Sequence, residues 1–181
     1  GIPTINAFMN AETAEKIINE KGKASIITAN NVYAHVDDIS GLTQAIKNIM
    51  AEDGIFVFEV SYLLDVVEKM LIGTIFHEHL CYHSVKAMSL FLKLQGLELI
   101  HVERGPEQGG SLIGYAQFAN GPRKTQVSVA QLLELEKKCN LDRPETIKGM
   151  YEGLESVKIE VRNLISDLRD NGKTVGGFRE S

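Results

Sequence analysis

Between Phe76 and His83 the chain reads Phe-His-Glu-His-Leu-Cys-Tyr-His, gathering three of its five histidines and one of its two cysteines. Side chains alternate along extended backbone, so His77, His79, Cys81 and His83 would share one face. Nitrogen and sulfur donors of that kind suit zinc. The spacing is not that of the helical zinc-protease motif, whose histidines lie four apart with glutamate after the first. A histidine beside a carboxylate is equally equipped for proton transfer, because imidazole titrates near neutrality and the carboxylate fixes its tautomer and raises its basicity. A third reading is an ordinary half-buried segment whose histidines satisfy backbone groups. The residue types leave all three open.

Glu59 interrupts the apolar run Ile55–Val60. A carboxylate there is costly unless it is paired or sits at the mouth of the strand. It reads either as an edge or ion-pair residue, or as a partner for a ligand hydroxyl or cation. His35 follows Asn30-Asn31 and by itself reads as a helix cap or core residue. His101 lies inside an expected strand and reads as structural. Gly109-Gly110-Ser111 permits close backbone approach, although a plain turn accounts for the glycine pair.

Alternating elements must position these residues. Apolar positions Ala14, Ile17 and Ile18 predict a helix over 10–21, stopped by Gly22. Leu42, Ala45, Ile46, Ile49 and Met50 predict a second over 40–50, ended by Asp53-Gly54. Ile2–Phe8 reads as a short strand, Ala24–Ala29 as a buried one and Ile55–Val60 as another. Continuously apolar strands alternating with helices indicate an α/β domain with a parallel sheet. A helix over 84–95 capped by Gly96 leads to strands at Leu97–Val102 and Ser111–Phe118, whose short connection makes them antiparallel. Beyond Pro122 two amphipathic helices follow, the longer over 147–168. Ligands of open α/β sheets bind beyond the carboxyl ends of the strands. Residues 30–35, 59–62 and 76–83 all fall there.

The 181 residues suit one domain with a helical extension, and 44% hydrophobic with 24% charged residues excludes a disordered chain. A net charge of −5 argues against a nucleic-acid partner. No apolar run approaches the roughly 20 residues that span a bilayer. With only two isolated cysteines, Cys81 and Cys139, a reduced cytoplasmic setting is expected.

Four segments now stand in a telling order: Asn30-Asn31-Val32-Tyr33-Ala34-His35-Val36-Asp37-Asp38, Asp53–Val60, Thr74–Ser84 and Gly109-Gly110-Ser111-Leu112. Together they resemble the S-adenosylmethionine-dependent C-methyltransferases that act on nucleotide-linked keto-sugars, over essentially the whole chain. The segment around His77-Glu78-His79 is the most specific part of the likeness. The resemblance implies methylation of a sugar carbon next to a ketone. A base removes the carbon's proton and the resulting enolate attacks the methyl of the sulfonium. It implies His79 as that base, Glu78 as its orienting or sugar-binding partner, and His35 close to the reacting carbon. Phe76, Tyr62, Glu59 and Tyr82 are expected at the substrate, and Asn30, Asn31 and Val32 at S-adenosylmethionine.

Three positions depart from the family pattern. Phe76 stands for its tyrosine, Gln108 for a histidine before the glycine pair, and Ile113 for an arginine after Ser111-Leu112. Tyr82 or Tyr62 could replace the missing hydroxyl. The family sheet, ordered 3-2-1-4-5-7-6, is expected to be partial, a Rossmann-like class I methyltransferase sheet lacking its first strands and its glycine-rich cofactor loop. Those strands would lie between Ile2–Phe8 and Ala24–Ala29. The domain division expected is 1–121 for the C-terminal part of the methyltransferase domain, 122–171 for a helical extension, and 172–181 for the truncated start of a second nucleotide-fold domain. On this reading the chain is a central fragment that could self-associate through its exposed sheet edge. The rival readings are a non-catalytic binding module and the zinc site at His77, His79, Cys81 and His83.

Overall fold

A computed structural model describes residues 1–177. α1 (Ala11–Lys21) leads into β1 (Ala24–Asn30), a 3-10 turn (Tyr33–His35), α2 (Ile39–Ile49) and β2 (Met50–Ser61). There follow α3 (Leu63–Glu68), a 3-10 turn (Ile72–Thr74), α4 (Val85–Leu94), β3 (Leu97–Gly105), a third 3-10 turn (Glu107–Gly109), β4 (Ser111–Phe118), α5 (Val127–Lys138) and α6 (Pro144–Asp170). The sheet runs β1-β2-β4-β3, with β1 and β2 parallel and β4 antiparallel to both neighbours. This is the 4-5-7-6 portion of the expected order. Among the described residues no helix is long and apolar enough to cross a membrane.

Local signals set the helix ends. The side chains of Asn10, Asp38 and Ser84 accept from the N–H groups of Thr13, Gly41 and Ala87 at 2.9, 2.8 and 3.1 Å. Each satisfies a donor that the first helical turn leaves orphaned. Gly22 and Gly96 close α1 and α4 with φ of 78° and 75°, a region that costs glycine little.

Four expectations change. Ile2–Phe8 is irregular, with Ile2 and Phe8 exposed, because no strand among the described residues pairs with it. Composition made Ala24–Ala29 a buried strand, whereas β1 is the edge strand that the partial sheet of the resemblance implies: Ala29 is buried, but Ile26 is 68% exposed. Asp53-Gly54 does not end α2. That helix stops at Ile49, and Met50 already pairs with Ala24, after which the register jumps to Ile26 opposite Ile55. Gly54 serves the resulting bulge, where a Cβ would come within 2.7 Å of Met50 Cγ and 2.9 Å of the Ala51 carbonyl. Finally, 172–177 hold no strand, and the rest of the second-domain start, 178–181, lies outside the described residues. The two helices of 122–171 are present, but α6 buries none of its residues.

The core packs Tyr33, Phe56, Phe58, Met88, Leu92 and Leu97 between the sheet and α4. A polar chain crosses it. Asp65 of α3 is fully buried, and Arg104 of β3 holds it with two bonds, Nε to Oδ2 at 2.8 Å and Nη2 to Oδ1 at 2.9 Å. Lys69 reaches Asp65 Oδ1 at 2.5 Å, and Arg104 also bonds Glu68 at 2.6 Å. The Arg104 guanidinium lies 5.6 Å from the centre of the Tyr62 ring. The Tyr62 hydroxyl donates to Glu136 Oε1 (3.0 Å). That carboxylate in turn accepts from the N–H groups of Val85 and Lys86 (2.5 and 3.0 Å) at the start of α4. Burial and then the Glu136 carboxylate push the Tyr62 hydroxyl far above the ordinary phenol range, so it remains a donor.

Burial alone would push the Asp65 carboxyl up, but Arg104 and Lys69 outweigh it and hold the group below the usual carboxylate range. Unfolded, an aspartate titrates near about 3.9. The stability Asp65 contributes is therefore complete above that pH and is lost as pH falls through the lower folded value. Urea unfolding across pH 2–7 is expected to show this acid limb, and Asp65→Asn to remove its share. Arg104→Met should cost about 3 kcal/mol at neutral pH, because it strands a buried carboxylate with Lys69 alone.

Candidate active site

The segment expected to be extended is folded back on itself. The His79 N–H donates to the Phe76 carbonyl at 3.0 Å, closing a turn over 76–79. The Leu80 N–H then reaches the Ala34 carbonyl (2.8 Å), and His83 forms a bridge beside Tyr62, with Leu63 N–H donating to its carbonyl at 2.9 Å. This turn separates the four residues of the expected zinc face. The His77 side chain is 91% exposed beside the Glu78 carboxylate. Cys81 and His83 instead face each other, Sγ to Nε2 at 3.3 Å. Among the described residues no three His, Cys, Asp or Glu side chains are grouped to hold a metal ion.

The fold does bring His79 to His35. Their ring centres are 4.8 Å apart, although 44 positions separate them in the chain. Each ring is tied by Nδ1 to a backbone carbonyl, His79 to Thr74 at 2.7 Å and His35 to Glu78 at 2.9 Å. A carbonyl can only accept, so Nδ1 carries the hydrogen in both rings. Nε2 is then the nitrogen with the free lone pair whenever the ring is neutral. Phe76 lies against His79 at 4.1 Å between ring centres, and Tyr82 meets it edge-on at 5.9 Å.

His79 lines a cavity of about 350 Å³ with Leu71, Gly73, Thr74, Phe76 and Gln108. Gln108 comes from the β3–β4 connection in a left-handed conformation (φ 52°), and the Lys69 ammonium donates to the neighbouring Gly109 carbonyl at 2.6 Å. The glycine pair is more than a plain turn. Gly109 has φ of 89°, and any Cβ on Gly110 would overlap the Asp65 side chain. Leu71 and Gly73 carry no sequence signal of a site, and Thr74 only its place at the start of the segment Thr74–Ser84. Gln108 carried one, its departure from the family pattern beside that glycine pair.

Other expected residues separate. Glu78 contributes its carbonyl to His35, while its carboxylate is exposed and the group orienting His79 is the Thr74 carbonyl. Tyr62 is fully buried with its hydroxyl on Glu136, and the Tyr82 hydroxyl donates to the Thr74 carbonyl at 2.9 Å. Neither leaves a free hydroxyl to replace the one Phe76 lacks. At the strand mouths Glu59 Oε2 accepts from the Asn30 amide (3.2 Å), and its main-chain carbonyl from the Asn31 N–H (2.8 Å). Glu59 Oε1 is buried without a partner. Val32 lines a second cavity of about 500 Å³, whose other walls include Phe8, Met9, Val36, Leu42 and Ala45.

Residues 3–102 match the family model described as "Methyltransferase domain", and residues 106–181 the one described as "C-methyltransferase C-terminal domain". The first match covers more than half of the chain, which belongs to the methyltransferase-domain family. Over 178 residues the chain is 29% identical to the C-methyltransferase NovU of Streptomyces niveus. The overlap takes in 98% of this chain but spans only 42% of the length of that curated relative. Among solved structures the chain is similar to a SAM-dependent methyltransferase of Anabaena variabilis, at 14% identity over 61% of this chain and 55% of that one, with a TM-score of 0.45. It is also similar to magnesium protoporphyrin IX methyltransferase of Synechocystis PCC 6803, solved with SAH bound, at 14% identity over 52% and 44%, with a TM-score of 0.39.

Beside the site, burial pushes the His83 imidazole below its ordinary value, opposed by a hydrogen bond to the Tyr33 backbone. A histidine kept neutral in this way favours folding fully above about 6.5, and that contribution is lost as pH falls below it. Thermal unfolding between pH 5 and 8 is expected to be less pH-dependent in His83→Gln than in the parent chain.

Proposed function

We propose that this chain carries the base and acceptor pocket of a methyltransferase that moves a methyl group from S-adenosylmethionine to the carbon beside the ketone of a nucleotide-linked sugar. One observation carries the reading: His79 lines a cavity with its Nδ1 hydrogen committed to Thr74 and its Nε2 lone pair free. A carbon next to a ketone is a weak acid, so its deprotonation needs a positioned base. His79 Nε2 takes the proton from that carbon and holds it while the new carbon–carbon bond forms, then releases it to solvent. His35 lies beside the same carbon, and Phe76 presents an apolar face to the sugar ring. Glu78, exposed at the rim, is available to sugar hydroxyls.

The methyl donor supplies an electrophilic methyl group on sulfur. Asn30, Asn31 and Val32 are the residues of this chain that would hold it. The fit rests on the cavity that Val32 lines; Glu59, expected at the substrate, adds a buried Oε1 that has no donor among the described residues and that a hydroxyl group would satisfy. The helices of 122–171 are read as an extension of this catalytic body.

His79→Ala is expected to reduce methyl transfer by about 10²–10⁴-fold, the usual contribution of a general base. Affinity for S-adenosylmethionine should stay nearly unchanged. Parallel assays of transfer and of donor binding check this, and equal loss of both would make His79 a structural residue.

The open edge of β1, with Ile26 exposed, supports a second reading as a module that pairs with another polypeptide or a second copy. Sedimentation of the chain is expected to give a species larger than a monomer, and Ile26→Lys to reduce it.

A further inference from the structure

We propose that Tyr82 is a positioning residue for His79, selecting through the Thr74 carbonyl which of the two ring nitrogens keeps its lone pair. Two donors converge on that one backbone oxygen: His79 Nδ1 at 2.7 Å and the Tyr82 hydroxyl at 2.9 Å. The His79 ring lies between the Phe76 ring, 4.1 Å away between centres, and the Tyr82 ring, which meets it edge-on at 5.9 Å.

Little else holds this stretch. The Thr74 N–H and side-chain hydroxyl both return to the Leu71 carbonyl, at 3.1 and 2.8 Å, within the local 3-10 turn. Gly73 is flanked by open space. Without the Tyr82 hydroxyl the Thr74 carbonyl keeps His79 Nδ1 as a donor but loses the one that fixes its direction. The local 3-10 turn alone does not hold that direction, so the carbonyl swings out of line with the His79 ring and Nδ1 loses its acceptor. In an unconstrained neutral histidine the hydrogen resides mainly on Nε2. Loss of the Thr74 anchor thus moves the hydrogen onto the nitrogen that the proposed function uses as the base.

The role in catalysis rests on His79 being that base, whereas the control of its tautomer does not. The test is nitrogen-15 NMR of the histidine rings in the full chain at a pH where they are neutral. The parent chain is expected to hold His79 predominantly as the Nδ1–H form, and Tyr82→Phe to shift it by severalfold toward Nε2–H. Tyr33→Phe serves as control, since it removes a buried hydroxyl bonded to Thr43 at 2.8 Å, and should lower the melting temperature without altering the His79 signals. An unchanged tautomer ratio in folded Tyr82→Phe, or a shift of equal size in Tyr33→Phe, overturns the proposal. If Tyr82→Phe does not fold, 3-fluorotyrosine at position 82 replaces it. That side chain keeps the hydroxyl but makes it more acidic, so the His79 Nδ1 signal must move, and a fixed signal counts against the proposal. In methyl-transfer assays the tautomer shift should appear as a fall in kcat at nearly constant KM. A tautomer shift without any fall in kcat would remove His79 as the base while leaving the positioning by Tyr82 intact.

Discussion

The buried carboxylate of Asp65 sets the terms for much of this structure. A fully buried negative charge is tolerable only with close cationic partners, and it finds two, Arg104 from β3 and Lys69 one turn along its own helix. Each partner does a second job. Arg104 lies over Tyr62, whose hydroxyl leads on to Glu136 and the first turn of α4. Lys69 reaches the Gly109 carbonyl and holds the connection that carries Gln108 into the cavity wall. The side chain of Asp65 also fills the space where a Cβ at position 110 would go, which explains why glycine stands there.

The parts of the fold legible in the sequence were those set by local chemistry. Asn10 and Ser84 stand where helices were expected to start, since a short side chain there can reach back to an orphaned N–H, and Gly22 and Gly96 announce ends because they can adopt positive φ. The parts that were not legible depend on partners. Ala24–Ala29 has the composition of a buried strand, yet burial needs a neighbour on each side; among the described residues β1 pairs only with β2, as the partial sheet of the resemblance implied. Ile2–Phe8 fails as a strand for the same reason. Asp53-Gly54 looked like a helix stop because a glycine in a bulge and a glycine at a helix end carry the same local mark.

The candidate site divides in the same way. That His79 and His35 would meet followed from two segments ending at neighbouring strand mouths, and they do meet. The resemblance gave Glu78 either as the group that orients His79 or as a sugar-binding residue, and the structure bears on the first alone. The turn at 76–79 sends the carboxylate outward and leaves a carbonyl to do the orienting. Every residue has a carbonyl, so no side-chain pattern can mark the one that matters. Tyr62 and Tyr82 show the converse: two phenols near a site in sequence, both with their hydroxyls already engaged.

One consequence is a division of electrostatic labour. The residues lining the cavity are Leu71, Gly73, Thr74, Phe76, His79 and Gln108, none of which carries a fixed charge. The fixed charges of Asp65, Glu68, Lys69 and Arg104 sit behind that wall, largely paired with one another. They act on the cavity through backbone they hold in place, the Gly109 carbonyl above all. His79 in the wall and His35 beside it are both oriented by peptide dipoles. A peptide carbonyl accepts a hydrogen bond without taking the proton, so it fixes the ring's tautomer while leaving His79, among the described residues, as the titratable group in the cavity wall. The Asp65 cluster holds the connection that carries Gln108, while the Thr74 carbonyl, outside that cluster, orients His79.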